Sequence, residues 1–273
     1  MRSKRFNLIG HLVLGMMAIY TIIPVVLVLL TSIRPEGDNS TSLGIPDSVD
    51  LGNFGDAWET AQFSTFMLNS VFVTIGTVMG ATALSILAGY AFGTMEFRGK
   101  EVLFYVFLLS LVLPFESVVI SWFYTFREVG QTDSLQSLIV PQVAIYLGFG
   151  VFWMRTFFEG VPRDVIEAAA IDGANSWQTL WRVLIPIAKP AVTTLVVLTG
   201  MWSWNAYLLP LVMITTQDGL TAPLGLTFFR GDFTTDITGL AAASVIVAAP
   251  VVAVYAVLQR SFVRGLLTGA VKG

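Results

Sequence analysis

The chain alternates between long apolar runs and short polar connections. Six runs are long enough to cross a bilayer, for which about 20 mostly apolar residues are needed. They cover 8–33, 67–95, 102–126, 134–154, 190–217 and 237–259. None shows the every-other-residue alternation of an outer-membrane barrel strand, so the pattern predicts helices. The first run follows Arg2, Lys4 and Arg5, like a signal peptide. It is too long for a signal-peptide core, and no small-residue cleavage site follows it, so it reads as a retained first span. The connection 34–62 is acidic and rich in Gly, Asp and Ser, with one short helix expected over 54–60.

Composition supports a lipid-covered chain. Of 273 residues, 55% are hydrophobic and 12% charged, about half the charge of an average soluble domain. Mean hydropathy is +0.76. These values exclude a soluble enzyme, a disordered chain and a disulfide scaffold. There is no Cys and only one His, His11, so a thiolate site, a catalytic thiol and a His-based triad have no residues to build on. His11 reads as structural. The net charge of -3 argues against nucleic-acid binding.

Charge changes the picture further when it is placed along the spans. Arg2, Lys4, Arg5, Arg98, Lys100, Arg155, Arg163, Arg182, Lys189, Arg260, Arg264 and Lys272 all fall on one side, and only Arg34, Arg127 and Arg230 on the other. The positive-inside rule then places both termini in the cytoplasm. The expected fold is an all-α membrane protein of six transmembrane helices, with residues 1–273 forming a single transmembrane domain.

The cytoplasmic connection 155–189 is too elaborate for a simple link. Pro162 suits a first helical turn, residues 163–172 favour helix, and Gly173 supplies a stop. Ser176 is positioned to cap a second helix. That helix has Trp177, Leu180, Trp181, Leu184 and Ile185 on one face. Trp beside Arg182 and Lys189 is membrane-interface chemistry. Ala168, Ala169 and Ala170 leave the first helix nearly bare on one side, flanked by Glu167 and Asp172. Two readings stay open on spacing alone: a solvated loop helix, or a knob on which a cytoplasmic partner docks.

The stretch Glu167-Ala168-Ala169-x3-Gly173-x9-Val183-x-Ile185-Pro186 resembles the EAA loop, E-A-A-x3-G-x9-I-x-L-P, of permease subunits in binding-protein-dependent ABC importers. Val183 and Ile185 are conservative departures. The tail from Gln259 to Gly273, the Ile171-Asp172-Gly173-Ala174 run and the Trp204-Asn205 pair are similar to carbohydrate-uptake permeases, in kind to the second permease of maltose-type importers. The resemblance implies a prokaryotic inner-membrane subunit. Its implied partners are a different permease, an ATPase homodimer docking on 155–189, and an extracytoplasmic solute-binding protein. It implies that Glu167, Ala168, Ala169, Asp172, Gly173, Ile185 and Pro186 contact the ATPase. It also implies that Gly269, Ala270, Val271, Lys272 and Gly273 reach it. The chain has no G-x-x-x-x-G-K-[ST] loop, so ATP and Mg would be bound by the partner, and the chain is not itself an enzyme. Many relatives carry I-P-L-Y where this chain has Ile120-Ser121-Trp122, which leaves the kink expected there unsupported.

Four residues are candidates for the solute pathway. Glu116 is a carboxylate inside the third run, readable as a solute contact or as a capped, vestibule-facing group. Trp204, Asn205 and Tyr207, with Trp202, combine aromatic faces and an amide suited to a polar uncharged solute; helix packing and the aromatic belt are the competing reading. Gly76-x3-Gly80 and Gly89-x3-Gly93 are close-packing pairs. The polar connection 215–236 is either a surface loop or, by resemblance, an approach to the binding protein. The reading these support is a subunit of an ATP-driven importer for a carbohydrate or polyol. Alternatives are glycerol phosphate or another small polar nutrient, and a secondary transporter.

Overall fold

A computed structural model describes residues 4–35, 44, 46, 48–231 and 235–270, with side chains described over 10–259 of these. Among the described residues the architecture is helical, without a strand. Five helices are long and apolar enough to cross a membrane, over Gly10–Ser32, Phe63–Thr94, Leu135–Glu159, Ser176–Trp204 and Ile237–Gln259. A sixth crossing results if Lys100–Val112 and Phe115–Glu128, bent by 98°, are taken together.

The chain forms two compact units. The first draws on Met1–Ser64 and Leu224–Pro250, the second on Thr65–Pro223 and Val251–Gly273. In the first unit α1 (Lys4–Ser32) leads to α2 (Gly52–Thr60), the short helix expected in that connection. Asn53 of α2 is buried, and its amide donates to the carbonyls of Ser32 at 3.0 Å and Arg34 at 2.7 Å. One side chain thereby closes the turn after α1. Asp236 accepts from Gly239 N–H at 2.8 Å, satisfying an orphan donor where α12 (Ile237–Ala270) begins.

The second unit is built around α6 (Leu135–Glu159), packed by α3 (Phe63–Thr94) and α4 (Lys100–Val112). Small residues on α3 set the approach. A Cβ on Gly76 would meet Ile139, on Gly80 Val143, and on Gly93 Phe158. The close-packing pairs are therefore used inside the chain, α3 against α6. On the other side of α6, a Cβ on Gly148 would meet Phe107 O and Ser110 of α4.

The third apolar run is not one helix. It breaks into α4 and α5 (Phe115–Glu128) at Leu113-Pro114, both extended, with ψ of 123° and 122°. Pro114 supplies no N–H, and its ring pushes Leu113 out of the helical region. Hydropathy alone cannot register this break. The kink thus occurs at Pro114, earlier than the Ile120-Ser121 segment. The fifth run also differs from its expected 190–217. Helix begins at Ser176, α8 (Ser176–Gln178), continues through a π-helical turn over Thr179–Leu184, and ends as α9 (Ile185–Trp204). Asn205 terminates it, and α10 (Leu208–Met213) is a separate short helix. α11 (Ala222–Gly225) follows in the connection to α12.

Candidate functional site

The connection between α6 and α9 carries α7 (Arg163–Ile171), with Pro162 at its N-cap and Asp164 in its first turn. Asp164 opposes the positive end of the helix dipole there. The helix stops in a Schellman arrangement: Ala174 N–H donates to Ala169 O at 2.9 Å and Gly173 N–H to Ala170 O at 3.0 Å. Gly173 sits at φ +80°, in the left-handed region that glycine enters without penalty. The next helix is capped by Asn175, one residue before the expected Ser176. Asn175 and Gln178 form a reciprocal capping box, at 2.9 and 3.0 Å. Asn175 competes better because Gln178 stands at the third helical position to return the bond.

The sequence candidates on this loop are brought together but not on one surface. Glu167, Ala168, Asp172 and Gly173 are exposed, as is Pro186. Ala169 is only 7% exposed, so it packs inward beside exposed Ala168 and Ala170. Ile185 packs against a core of Tyr90, Met154, Phe158, Leu180 and Leu184, and so does Ile166 of α7. This core fixes α7 to α3, α6 and α9.

Beside α7 lies a cleft of about 350 Å³, lined by Glu96, Lys100, Glu159, Arg163, Ile166 and Glu167 among others. Its wall is braced by Arg155. The guanidinium donates to Glu159 at 2.7 Å and to Glu101 at 3.0 Å, and lies 3.8 Å above the Phe104 ring. Arg155 thus ties α4 to the C-terminal end of α6. The i,i+4 pair with Glu159 is legible in sequence; the Glu101 contact, across 54 positions, is not.

The pathway candidates are dispersed. Glu116 is exposed in the first turn of α5, so it sits just after a helix break and not within a continuous span. Trp204 is buried at the end of α9. Asn205 follows it and donates its amide to Met201 O at 2.7 Å, closing the helix end. Tyr207 is exposed before α10. Of the tail, Gly269 and Ala270 lie at the end of α12, while Val271, Lys272 and Gly273 lie outside the described residues.

Sequence reasoning missed a second constellation, at the opposite end of α6. Asp133, at φ +57°, accepts from Thr215 N–H and Oγ1 at 2.5 and 2.7 Å, and from Thr216 N–H at 2.8 Å. Burial raises its carboxyl pKa, but the hydrogen bonds from Thr215 and Thr216 outweigh this and hold it below the ordinary value. Asn69 donates to the carbonyls of Asp218 and Leu220, and Ser70 accepts from Ala222 N–H. The loop 215–222 is therefore pinned from two sides, by Asp133 in the connection between α5 and α6 and by Asn69 and Ser70 of α3. Among the described residues no group of three or more His, Asp or Glu could hold a metal ion.

Taken together, this is a multi-pass helical membrane protein whose best-built extramembrane element is an exposed helix beside a charged cleft. Comparison with known proteins specifies the class. Residues 81–268 match the family described as binding-protein-dependent transport system inner membrane component, and the chain belongs to that family. The diacetylchitobiose uptake system permease protein NgcG of Streptomyces coelicolor is 30% identical over 270 residues, covering 98% of this chain and 89% of the relative. The trehalose transport system permease protein SugB of Mycobacterium tuberculosis is 30% identical over 274 residues, covering 100% and 98%. The fold is similar to a chain in the crystal structure of a bacterial ABC transporter that imports the acidic polysaccharide alginate. There the TM-score is 0.83 and the identity 25%, over 96% of this chain and 98% of the other. Family membership makes the chain a membrane component of a transporter and not an enzyme. It implies a solute-binding protein and an ATPase as partners.

Proposed function

We propose that this chain is one of two different permease subunits of an ATP-driven importer for a carbohydrate or related polyol. The whole chain acts as one permease domain. It supplies half of the pathway and converts ATP hydrolysis by a partner into alternating access. ATP and Mg are bound by the ATPase homodimer, not by this chain. Both termini lie in the cytoplasm of a prokaryotic cell, as the distribution of Lys and Arg favours. The carbohydrate class rests on the relatives, which are permeases for diacetylchitobiose, trehalose and arabinooligosaccharides.

The observation that carries the coupling role is α7. It is a short helix outside the spans, with Glu167, Ala168 and Asp172 exposed and a left-handed glycine stop. Small residues permit close approach, and exposed carboxylates orient a basic partner surface. Ala169 and Ile185 pack inward and hold this helix from behind, while exposed Pro186 joins Glu167, Ala168 and Asp172 as a contact for the ATPase. Residues 269–273 give the ATPase a second contact. Glu116, Trp204, Asn205 and Tyr207 stay assigned to the solute pathway.

The test is uptake by the assembled importer. Glu167→Lys and Gly173→Asp should abolish ATP-driven uptake while the chain still inserts. Co-purification in mild detergent should recover an ATPase and a second permease. Wild-type uptake in both variants would remove the coupling role. Full ATP-driven uptake of a phosphorylated solute and none of any sugar would remove the carbohydrate assignment alone.

A further inference from the structure

Between α7 and the membrane-crossing part of α9 lies a face that the coupling role leaves unused. Trp177 and Trp181 are 60% and 46% exposed, with indole centroids 5.4 Å apart. Arg182, Lys189 and Ile187 are exposed on the same segment. Its other side is anchored: Leu180 and Leu184 are fully buried, and the Tyr90 hydroxyl donates to Ser176 O at 3.2 Å. The π-helical turn over Thr179–Leu184 is wider than an α turn. Across it Leu180, Leu184 and Ala188 all stay buried at four-residue spacing, which leaves both indoles outward.

Span length says what covers this face. The apolar helix over Ser176–Trp204 has 29 residues. At 1.5 Å per residue it is roughly 43 Å long, against about 30 Å of hydrocarbon. About 30 Å takes the 20 residues of α9, Ile185–Trp204, so the excess is Ser176–Leu184; Arg182 lies beyond the core, and Lys189, about 6 Å inside its edge, snorkels out to it. Trp177 and Trp181 therefore stand at headgroup level, where an indole keeps its ring in lipid and its N–H in a polar layer. Two cations beside them complement anionic headgroups.

The geometry points to an anchor for anionic phospholipid in the leaflet on the α7 side: the indoles seat in the headgroup layer, and Arg182 and Lys189 hold the headgroup charge. Ile166 of α7 packs on the core that holds Leu180 and Leu184, so the anchor sets the height of α7 above the bilayer. Anionic lipid thereby controls how α7 meets its partner.

The chain has no native Cys, so a nitroxide on Trp181→Cys or Ile187→Cys reports one site. The full chain is placed in nanodiscs of phosphatidylcholine, with or without phosphatidylglycerol, and then studied with its co-purified ATPase. The ratio of relaxation by dissolved oxygen to relaxation by a water-soluble nickel chelate should, for both labels, lie between that of a label on exposed Asp164→Cys and that of a label in the hydrocarbon core, before and after ATPase binding. Native mass spectrometry should show phosphatidylglycerol retained by the wild type and several-fold less by Arg182→Gln/Lys189→Gln. A ratio equal to that of the Asp164→Cys label would make the face solvent-exposed. Loss of both relaxations on ATPase binding would make it a protein contact. Equal lipid retention by the double variant would remove the headgroup site. Each of these overturns the anchor while leaving the import role untouched.

Discussion

Gly173 is constrained by its backbone, not by its space. A Cβ added there meets nothing within 4 Å, but φ is +80°. An L side chain in that conformation costs about 1–2 kcal/mol, and Asn tolerates it better than Ala. Gly173→Ala should therefore loosen the end of α7, raising hydrogen exchange at the Ala174 amide by roughly tenfold, while Gly173→Asn stays close to wild type. Equal exchange in the two variants would mean that the left-handed turn does not hold the helix end. Asp133 makes the complementary prediction. Its carboxyl is lowered in the folded protein, so its contribution is complete above the ordinary carboxylate range, about 4, and fades only as acid passes through the still lower folded value. After correction for intrinsic rates, protection of the Thr215 and Thr216 amides should not change between about pH 7 and 5. Asp133→Ala should remove it at every pH. The two residues also differ in legibility. Gly173 follows a run of helix formers and announces its turn. Asp133 acts on a threonine 82 positions away, and no local pattern carries that pairing.

At the scale of elements, the close approach of α3 to α6 has a measurable limit. A Cβ on Gly89 would lie 2.4 Å from Met154 Cβ and 2.9 Å from the Arg155 backbone nitrogen. Neither a Cβ nor a backbone atom can swing aside, so Gly89→Ala must part the helices, at about 1–3 kcal/mol. Gly15→Ala on α1 meets nothing within 4 Å and gains helix propensity, roughly 0.5–1 kcal/mol. Thermal unfolding in detergent should show a lowered midpoint for Gly89→Ala and none for Gly15→Ala. A lowered midpoint in both would point to a general intolerance of spans to substitution. The spans themselves were legible because lipid selects on average hydropathy, which any window of the sequence displays. The break between α4 and α5 was not, since Leu113 and Pro114 are as apolar as their neighbours and only the geometry of proline separates the helices. The π turn before Ile185 was equally hidden, because it leaves the four-residue spacing of the buried positions intact.

For the molecule as a whole, the charge asymmetry predicts which end faces the cytoplasm. In the second unit α6 runs 25 residues, roughly 37 Å, between two dissimilar ends. One end holds the loop pinned by Asp133, with Gln131 exposed beside it. The other holds α7, the cleft and the bases Lys100, Arg155 and Arg163. If the inner surface is the basic one, α7 lies in the cytoplasm, the only compartment in which an ATPase could reach it. Because the chain has no native Cys, single Gln131→Cys and Asp164→Cys variants respond to a membrane-impermeant maleimide without background from the subunit itself. Intact spheroplasts should label Gln131→Cys, and Asp164→Cys should label only after permeabilisation. The outcome bears on more than topology. Labelling of Asp164→Cys from outside would place α7 where no ATP-driven partner exists, and the coupling role would fail even if every helix were placed correctly. Protection of Asp164→Cys by the bound ATPase, in permeabilised membranes, would join the two ends of the argument: the basic pole of the sequence and the exposed helix of the structure would then be the same docking surface.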